Sequence, residues 1–349
     1  MRNAEEWTTL LSIGTEGGTI ELKGAERYDG WWDFRLRTDE SSEGVTYHTA
    51  QGAKEDGLKL LDGIAWMSLY PLYVSPEAAG AVEKKVLHHK YRNESSFMAW
   101  LEACYPEAER KAALLANWLL TAERTVLFTG AGMSTESNLP DFRSKEGWWR
   151  RVDPRTVATP EAMNQDYPLF KDFYAARMAS LEAAVPHAGY YVISSWESRG
   201  MVQAVATQNV DGLHRKAGSQ RVYELHGRLQ AVRCSRCDEE AGEADFRKGR
   251  PCQICGGKLR PGVVLFGEIL PEKDWDEALL AVQKADLVVT IGTSLEVYPA
   301  NQLPLMSKGR SVYINADYSG TASDFDLVLE GRAGEVLQEV DRLLKSVQL

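Results

Sequence analysis

The 349-residue sequence predicts an α/β protein built on a doubly wound parallel sheet, preceded by a small α+β unit. Short apolar runs of the kind that form buried parallel strands recur along the C-terminal two thirds of the chain. Segments with helical spacing of apolar residues alternate with these runs, as in sheets covered by helices. The runs are Val126–Phe128, Met201–Ala206, Ala285–Ile291, Ser311–Asn315 and Phe325–Leu329. We therefore expect a small α+β domain over residues 1–105 and a larger α/β domain over residues 106–349.

The bulk composition is that of a globular protein and argues against several classes of function. Apolar residues make up 44% of the chain and charged residues 26%, and the formal net charge is −10. That negative charge disfavours a general binder of nucleic acid or of an anionic membrane. The N-terminal residues carry acids and no sustained apolar run, and no segment approaches the roughly 18 apolar residues of a membrane span. We therefore expect a cytoplasmic protein without nucleic-acid or membrane partners.

The first 105 residues predict a small α+β unit. Residues Thr19–Lys23 and Trp31–Thr38 alternate in polarity as strands do, with a turn between them, so a β-hairpin is expected. Helical spacing of apolar residues follows over residues 55–69, 77–91 and 97–103. None of the chemical motifs found further along occurs here, so binding of an unidentified partner is the hypothesis for this unit.

A glycine turn follows the first strand of the α/β domain. A helix over residues 106–121 leads into the strand, which breaks at residues 130–132, where minimal side chains let the backbone turn sharply and approach a ligand. Hydroxyl groups at Ser134, Thr135 and Ser137 then stand beside a predicted helix start, where free backbone N–H groups favour phosphate. Such turns also occur without a nucleotide, so this feature alone leaves both interpretations open.

Polar side chains stand at the carboxyl end of the next strand. The run Met201–Ala206 delivers Gln208, Asn209 and Asp211 to the edge where open α/β sheets bind their ligands. These side chains are costly to bury unless their hydrogen bonds are used. The strand over Ala285–Ile291 likewise ends in a glycine followed by hydroxyl residues. Both strand ends are candidates for ligand binding, although polar strand ends without a ligand are common.

Four of the five cysteines form two CxxC pairs, Cys234 with Cys237 and Cys252 with Cys255, separated by fourteen residues. That arrangement is close to the usual spacing of a zinc site. Four thiolates leave no coordination position for water, so the predicted zinc is structural. Disulfides are the alternative, which a cytoplasmic location disfavours. A zinc ribbon that binds nucleic acid is disfavoured by the acidic chain.

Four segments of the α/β domain resemble the signature motifs of the sirtuins, a family of NAD-dependent protein-lysine deacylases. The segments are GAGMSTESNLPDFR at residues 130–143, TQNVDGLHRKAG at 207–218, RPGVVLFGE at 260–268 and GTSLEVYPA at 292–300. The resemblance covers residues 106–349, includes the two CxxC pairs and leaves out residues 1–105. One departure is visible, since Asn138 and Leu139 stand where the family usually has Gly-Ile. Asparagine tolerates a left-handed backbone better than most residues.

The resemblance implies a Rossmann-like sheet that binds NAD, with a small zinc-ribbon and helical lobe. It implies that Gln208, Asn209 and Asp211 accept the nicotinamide ring and its ribose, and that Phe142 folds over the site. Asn209 and Asp211 are also expected to stabilise the positive ring region during catalysis. The residues that it assigns to NAD binding are Gly130, Ala131, Gly132, Ser134, Asp141, Phe142, Arg143, Gln208, Asn209, Asp211, Gly292, Thr293, Ser294, Asn315, Asp317 and Ala333.

One histidine receives a catalytic assignment from the resemblance. His226, in the segment YELHG before the first CxxC pair, matches the general base of the family. Its ordinary pKa near 6.5 allows it to take a proton from a ribose hydroxyl near neutral pH. By resemblance, the acyl oxygen first attacks the nicotinamide ribose and expels nicotinamide, and the acyl group then leaves on ADP-ribose. His214, in the second motif, is interpreted as a structural hydrogen-bonding residue.

The resemblance also assigns a site for an acylated-lysine peptide. Val263, Val264 and Phe266 are expected to shape the lysine tunnel, and Gly267 and Glu268 to contact the peptide backbone by strand addition. Taken without the other motifs, this segment is equally typical of a buried strand that ends in a turn.

Tyr174 and Arg177 lie one helical turn apart in a helical, aromatic region. Some sirtuins use a Tyr-x-x-Arg pair to hold acidic acyl groups such as succinyl, and a phenol and a guanidinium at this spacing can jointly bind a carboxylate. The alternative is that Tyr174 lines the pocket and Arg177 is a surface charge.

The implied function is removal of acyl groups from protein lysines with consumption of NAD. An NAD glycohydrolase or ADP-ribosyltransferase on the same fold is an alternative, although such relatives tend to lack the FGE segment or the four cysteines. A non-catalytic interaction protein is a second alternative, disfavoured by the presence of His226.

Overall fold

The computed structural model describes residues 8–15, 18–26, 32–38, 41–49, 107–142, 147, 150, 152–317 and 324–348. The chain divides into two compact units, one formed by residues 1–121 with 340–349 and the other by residues 122–339. The domain boundary that the sequence predicts near residue 106 stays a prediction. The predicted helices over residues 55–69, 77–91 and 97–103, and also Arg143, lie outside the described residues.

Four described strands near the N-terminus pair as an antiparallel meander in sequence order. They are β1 (Thr8–Thr15), β2 (Gly18–Glu26), β3 (Trp32–Thr38) and β4 (Ser41–Thr49). The predicted hairpin is confirmed, because Leu22 pairs with Leu36 across β2 and β3. The sequence does not predict β1 and β4, since their residues do not alternate regularly between apolar and polar.

Helix α1 (Glu107–Thr121) confirms the helix predicted before the first strand of the α/β domain. The residues predicted to share its apolar face, Ala112, Leu115 and Leu119, are all buried. Near its C-terminal end, the Thr121 hydroxyl donates a 3.0 Å hydrogen bond to the Asn117 carbonyl.

The described strands of the second unit form a six-stranded parallel sheet and a separate antiparallel pair. In chain order they are β5 (Thr125–Thr129), β6 (Ala204–Thr207), β7 (Val222–Glu224), β8 (Gly227–Cys234), β9 (Leu259–Val263), β10 (Leu287–Ile291), β11 (Arg310–Asn315) and β12 (Leu327–Glu330). The parallel sheet has the order β12-β11-β10-β5-β6-β7. The predicted doubly wound parallel sheet is confirmed.

The strand order reverses between β5 and β10, which lie side by side at the centre of the sheet. From β5 the chain moves to β6 and β7, and from β10 it moves the other way to β11 and β12. The loops after β5 and β10 therefore diverge at the carboxyl edge of the sheet. Doubly wound sheets bind ligands in the crevice at such a switch point.

The remaining described α-helices lie between and after these strands, and several begin with residues that favour helix starts. Further along the chain lie α2 (Pro154–Val157), α3 (Pro160–Gln165), α4 (Tyr167–Glu182), α5 (Ala188–Ser198), α6 (Leu213–Lys216), α7 (Glu243–Arg247), α8 (Glu272–Gln283) and α9 (Ala333–Gln348). The Asp166 carboxylate accepts a hydrogen bond from the Leu169 amide (3.0 Å) and so caps α4. Within the described residues, no helix combines the length and apolar character needed to cross a bilayer.

Strands β8 and β9 form a small lobe outside the parallel sheet, and they pair antiparallel. Two side chains join this lobe to the helices that precede it in sequence. The Tyr167 hydroxyl donates to the Leu259 carbonyl (2.8 Å), and the Lys258 ammonium donates to the Met163 carbonyl (3.2 Å). The small lobe is thereby tied to α3 and α4.

Candidate active site

The loops that follow β5 and β10 are held against each other by backbone hydrogen bonds. The Gly130 amide donates to the Ile291 carbonyl (2.9 Å), and the Gly132 amide donates to the Gly292 carbonyl (2.7 Å). A Cβ atom on Gly132 would lie 2.8 Å from the Cα atom of Gly292, and Gly292 itself has a φ of 61°. The glycines are therefore required for loop-to-loop packing, a reason that the sequence analysis did not give.

The predicted helix start after the glycine turn is a short 3-10 helix, Ala131–Ser137. Asn138 ends this helix with a φ of 61°, in the left-handed region, and its amide donates to the Thr135 carbonyl (3.1 Å). The structure therefore confirms that asparagine supports a left-handed turn where the sirtuin motif usually has glycine.

A cavity of about 310 Å³ opens at the carboxyl ends of the central strands. Most residues that the sequence analysis assigns to NAD line this cavity. They are Gly130, Ala131, Gly132, Asp141, Phe142, Gln208, Asn209, Gly292, Thr293, Ser294, Asn315, Asp317 and Ala333. His226 lines the same cavity, so the predicted base and the predicted dinucleotide contacts are brought together. Val297, from the GTSLEVYPA motif, and Ala316, between Asn315 and Asp317, also line it. Arg332 lines it as well, and no sequence pattern singled it out.

A smaller cavity of about 50 Å³ adjoins the first and shares Ala131, Phe142 and Asn209 with it. Ser134 and Asp211, also assigned to NAD, line this smaller cavity rather than the larger one. Residues from widely separated parts of the chain thus meet around one continuous recess at the switch point.

Ser134 is the centre of a buried hydrogen-bond network. Its hydroxyl donates to Asp211 Oδ2 (2.7 Å) and accepts from Asn209 Nδ2 (3.0 Å). Because the serine hydrogen is then used, the Tyr190 hydroxyl, 2.9 Å away, donates the hydrogen bond that they share. Tyr190 is fully buried on α5, and the sequence analysis missed it because nothing local marks a contact between residues 56 positions apart.

The Asp211 carboxylate is fixed through both of its oxygens. Besides the Ser134 contact, Oδ1 accepts a hydrogen bond from the Leu213 amide (2.9 Å). Burial raises the pKa of Asp211 above its ordinary value, while these hydrogen bonds and the positive charge of Arg177 act in the opposite direction. Arg177 and Asp211 are therefore electrostatic partners across the smaller cavity.

His226 presents one ring nitrogen as a base. Its Nδ1 lies 3.0 Å from the Gln208 carbonyl oxygen, which can only accept a hydrogen bond. Nδ1 therefore carries the proton, and Nε2 keeps a free lone pair. Burial lowers the pKa of His226 below 6.5, and the hydrogen bond to Gln208 acts in the opposite direction. At neutral pH the imidazole is thus the unprotonated form that a general base requires.

His214 is fully buried beneath the same edge of the sheet. Its Nε2 lies 3.0 Å from the Thr129 hydroxyl, and its ring packs edge-on against Tyr190. Burial, with a smaller contribution from His187, lowers the pKa of His214 to about 3. This placement supports the structural interpretation given to His214 from the sequence.

The segment assigned to the lysine tunnel begins at Val263, the last residue of β9, and lies directly beside His226. The Val264 amide donates to the His226 carbonyl (2.9 Å), and the Phe266 amide donates to the Ala158 carbonyl (2.9 Å). Val263 is buried, whereas the Phe266 side chain is 45% exposed, and Gly267 has a φ of 90°. Glu268 does not reach outward, because its carboxylate is paired with Arg260.

Tyr174 and Arg177 lie close to each other but have different surroundings, since the guanidinium is 5.8 Å from the centre of the Tyr174 ring. Tyr174 is only 2% exposed on α4 and packs against Phe170 and Phe173, and burial raises the pKa of its hydroxyl to about 12. Arg177 lines the smaller cavity, with its guanidinium 5.1 Å from the centre of the Phe142 ring. Arg177, and not Tyr174, therefore lines the smaller cavity.

The four cysteines of the CxxC pairs come together at one end of the small lobe. Sγ atoms of Cys234 and Cys255 are 3.4 Å apart, those of Cys237 and Cys252 are 3.7 Å apart, and all four lie within 4.8 Å of one another. Zinc–thiolate bonds of about 2.3 Å in a tetrahedron place sulfurs about 3.8 Å apart. The donor set therefore fits a structural Zn²⁺.

Fold and site together define an α/β enzyme with a cavity at the switch point of its sheet and an unprotonated imidazole in the wall of that cavity. Residues 130–299 match the profile of the Sir2 family. The chain is 47% identical over 238 residues to NAD-dependent protein deacetylase 1 of Geobacillus kaustophilus, covering 67% of this chain and 98% of that relative. It is 40% identical over 249 residues to an NAD-dependent protein deacylase of Pyrococcus abyssi, covering 66% and 98%. The chain belongs to the Sir2 family.

Solved structures of Sir2 proteins share the fold. A Sir2 homologue in complex with NAD aligns with a TM-score of 0.63 and 37% identity, covering 67% of this chain and 94% of that chain. A Sir2 variant with a deacetylated p53 peptide and 3′-O-acetyl ADP-ribose aligns with a TM-score of 0.61 and 30% identity, covering 66% and 98%. These matches leave about a third of this chain uncovered.

Proposed function

We propose that the chain is an NAD-dependent protein-lysine deacylase that transfers the acyl group to ADP-ribose and releases nicotinamide. Its Sir2 relatives are NAD-dependent protein deacetylases and deacylases. The observation that carries the proposal is the position of His226 in the wall of the cavity that the residues assigned to NAD also line. An acyl-lysine peptide bound along residues 263–268 would then meet the dinucleotide beside that imidazole.

The loops after β5 and β10 are proposed to bind the dinucleotide. NAD, when bound, supplies the ribose carbon that the acyl oxygen attacks, with nicotinamide as the leaving group. Asn315 and Asp317 line the same cavity, where their side-chain oxygens can accept hydrogen bonds from ribose hydroxyls.

The buried network is proposed to act on the nicotinamide side. Asn209 and Asp211 are held by Ser134, so their polar atoms are preorganised for the positive charge of the ring region. Phe142 contributes to both cavities and is placed to cover the reacting centre and keep water away. His226 Nε2 takes the proton of the ribose hydroxyl, while its Nδ1–H remains on the Gln208 carbonyl.

The function is tested by incubating the purified protein with NAD and an acetyl-lysine peptide. We expect nicotinamide and deacetylated peptide to form in equal amounts, with the acyl group recovered on ADP-ribose. A reaction with NAD alone is the control. Rapid nicotinamide release without peptide would favour an NAD glycohydrolase, and modification of the peptide by ADP-ribose would favour an ADP-ribosyltransferase.

Acidic acyl groups such as succinyl are proposed as further substrates, with Arg177 as their contact. Arg177 is a cation that lines the smaller cavity with Asn209 and Asp211. It can therefore pair with the carboxylate of a succinyl group on the substrate lysine. Tyr174 is then proposed to support Arg177 from the core, since the guanidinium lies 5.8 Å from the centre of its ring. Asp211 is the competing partner of Arg177.

Arg177→Met is expected to reduce kcat/KM for a succinyl-lysine peptide by roughly 10- to 150-fold, the loss of one charged hydrogen bond. Activity on an acetyl-lysine peptide should fall much less, because that acyl group has no carboxylate. Tyr174→Phe should produce a smaller loss of the same selectivity. Arg155→Met, at an exposed arginine of α2, is the matched control. Equal losses on the succinyl-lysine and acetyl-lysine peptides would contradict this role of Arg177. They would indicate that Arg177 acts through its electrostatic interaction with Asp211.

A cytoplasmic location and a partner for the N-terminal strands are also proposed. The two CxxC pairs, which suggest a metal site and not disulfides, support the first proposal. The second would be tested by expressing the full-length protein and a variant that lacks residues 1–105. The proteins that each of the two captures would then be compared.

A further inference from the structure

A buried arginine connects the two ends of residues 263–268, the segment that is proposed to bind the peptide. Arg260 is 6% exposed on β9, and its guanidinium makes a two-pronged ion pair with Glu268. Its two terminal nitrogens donate to the carboxylate oxygens of Glu268 at 2.5 and 2.9 Å. One of them also donates to the Val263 carbonyl (2.7 Å). Arginine therefore links both ends of the segment 263–268.

Glu268 also makes hydrogen bonds within the segment 263–268. Its carboxylate accepts a hydrogen bond from the Leu265 amide (2.8 Å), and its amide donates to the Leu265 carbonyl (3.0 Å). Burial tends to raise the pKa of Glu268, but the hydrogen bonds from Arg260 and Leu265 outweigh burial and lower it. The carboxylate therefore stays charged across the physiological range and remains paired.

The charges of Arg260 and Glu268 act in opposite directions on the pKa of Tyr174, which burial raises. The segment that the pair closes presents Phe266 and Gly267, which are exposed. A buried pair on one side and exposed residues on the other indicate a preformed surface rather than a loop that must be ordered on binding.

We propose that Arg260 and Glu268 are positioning residues that hold the segment 263–268 in the shape that accepts an acyl-lysine peptide. This inference rests on the proposed function. The carboxylate of Glu268 is engaged by Arg260, so Glu268 acts on the peptide through the shape of the segment and not by a side-chain contact. NAD binds at the other loops, so the pair governs peptide recognition and leaves NAD recognition alone.

Glu268→Gln tests the inference by removing the charge while keeping the size of the side chain. We expect kcat/KM for an acyl-lysine peptide to fall by roughly 10- to 100-fold, mainly through KM, because small displacements of positioning groups have effects of that size. KM for NAD should change by less than about two-fold, well below the 10- to 100-fold effect expected for the peptide. Glu272→Gln, at an exposed glutamate on α8, is the matched control.

Arg260→Lys and Arg260→Met examine the other partner. Lysine keeps the charge but not the two-pronged geometry, so it should restore only part of the peptide affinity. The double variant Arg260→Met/Glu268→Gln should be no worse than the poorer single variant, since the pair acts as a unit. Thermal unfolding identifies variants that do not fold, and Glu268→Gln alone decides the question if the Arg260 variants unfold.

Binding of a fluorescent acetyl-lysine peptide, measured by anisotropy, separates this inference from the proposed function. Wild-type protein that binds and deacylates the peptide, together with a folded Glu268→Gln variant of unchanged peptide affinity, would overturn the inference alone. An equal rise in KM for NAD and for peptide would also overturn it, because it would indicate a general structural effect. Wild-type protein that neither binds nor deacylates peptides would overturn the proposed function and the inference with it.

Discussion

His226→Asn is expected to lower acyl transfer by about 10²- to 10⁴-fold, the usual contribution of a general base. Asparagine can keep the hydrogen bond to the Gln208 carbonyl, because its Nδ2 can replace the Nδ1–H that the histidine donates. It has no nitrogen that can take a proton. The measurement is kcat for deacetylation of an acetyl-lysine peptide at saturating NAD.

The order of the proposed steps sharpens this experiment. Nicotinamide is expelled before the ribose hydroxyl loses its proton, so exchange of labelled nicotinamide into NAD should persist in the His226→Asn variant. His226→Ala should lose the same catalysis and also one buried hydrogen bond, with a stability cost of about 0.5–1.5 kcal/mol. If the asparagine variant loses nicotinamide exchange and acyl transfer equally, His226 does not act as a late general base.

The pH dependence of kcat/KM for the wild-type enzyme should also report the role of His226 as a base. Burial lowers the pKa of His226, so the acid limb of kcat/KM is expected to have its midpoint below 6.5, the ordinary value. Activity is then retained as pH falls to that value and is lost as pH falls further. Burial also raises the pKa of Asp211, so this carboxyl group titrates in the acid limb as well. The His226→Asn profile distinguishes them, because the limb that it lacks belongs to the histidine.

The positions of the site residues could be predicted because parallel strands impose a simple rule. The carboxyl ends of β5, β6 and β10 must lie at one edge, so a glycine turn, a Gln-Asn-Asp cluster and a Gly-Thr-Ser run had to meet there. The cysteine spacing was similarly informative, since metal chemistry demands four sulfurs close together. His226 was found only through its motif, because a single histidine has no periodic signal.

The residues that the sequence analysis missed act through contacts that leave no local pattern. Tyr190 reaches Ser134 from a different helix, and Arg332 enters the cavity from the turn before α9. The pairing of Glu268 with Arg260 is hidden for another reason. A glutamate in a loop is usually solvated, and only the burial of a nearby arginine reveals that this one is held.

The zinc site links the small lobe to catalysis even though four thiolates leave no position for chemistry. Strand β8 starts at Gly227, directly after His226, and ends at Cys234. Strand β9 leads to Val264, whose amide holds the His226 carbonyl. A two-stranded sheet is only marginally stable alone, so the lobe needs the metal to hold both strands in place. The sulfurs thus support the histidine and the peptide segment from a distance.

Cys252→Ser, or removal of zinc by a chelator, is therefore expected to abolish deacylation and to lower the unfolding temperature sharply. Structural zinc contributes about 10–16 kcal/mol of apparent binding energy to small domains, most of which is folding energy. Metal content by mass spectrometry should fall from one zinc per chain to none. Cys104→Ser, at the cysteine outside the CxxC pairs, is the control and should retain zinc. A zinc-free protein with wild-type stability and peptide affinity would show that the lobe stands without the metal.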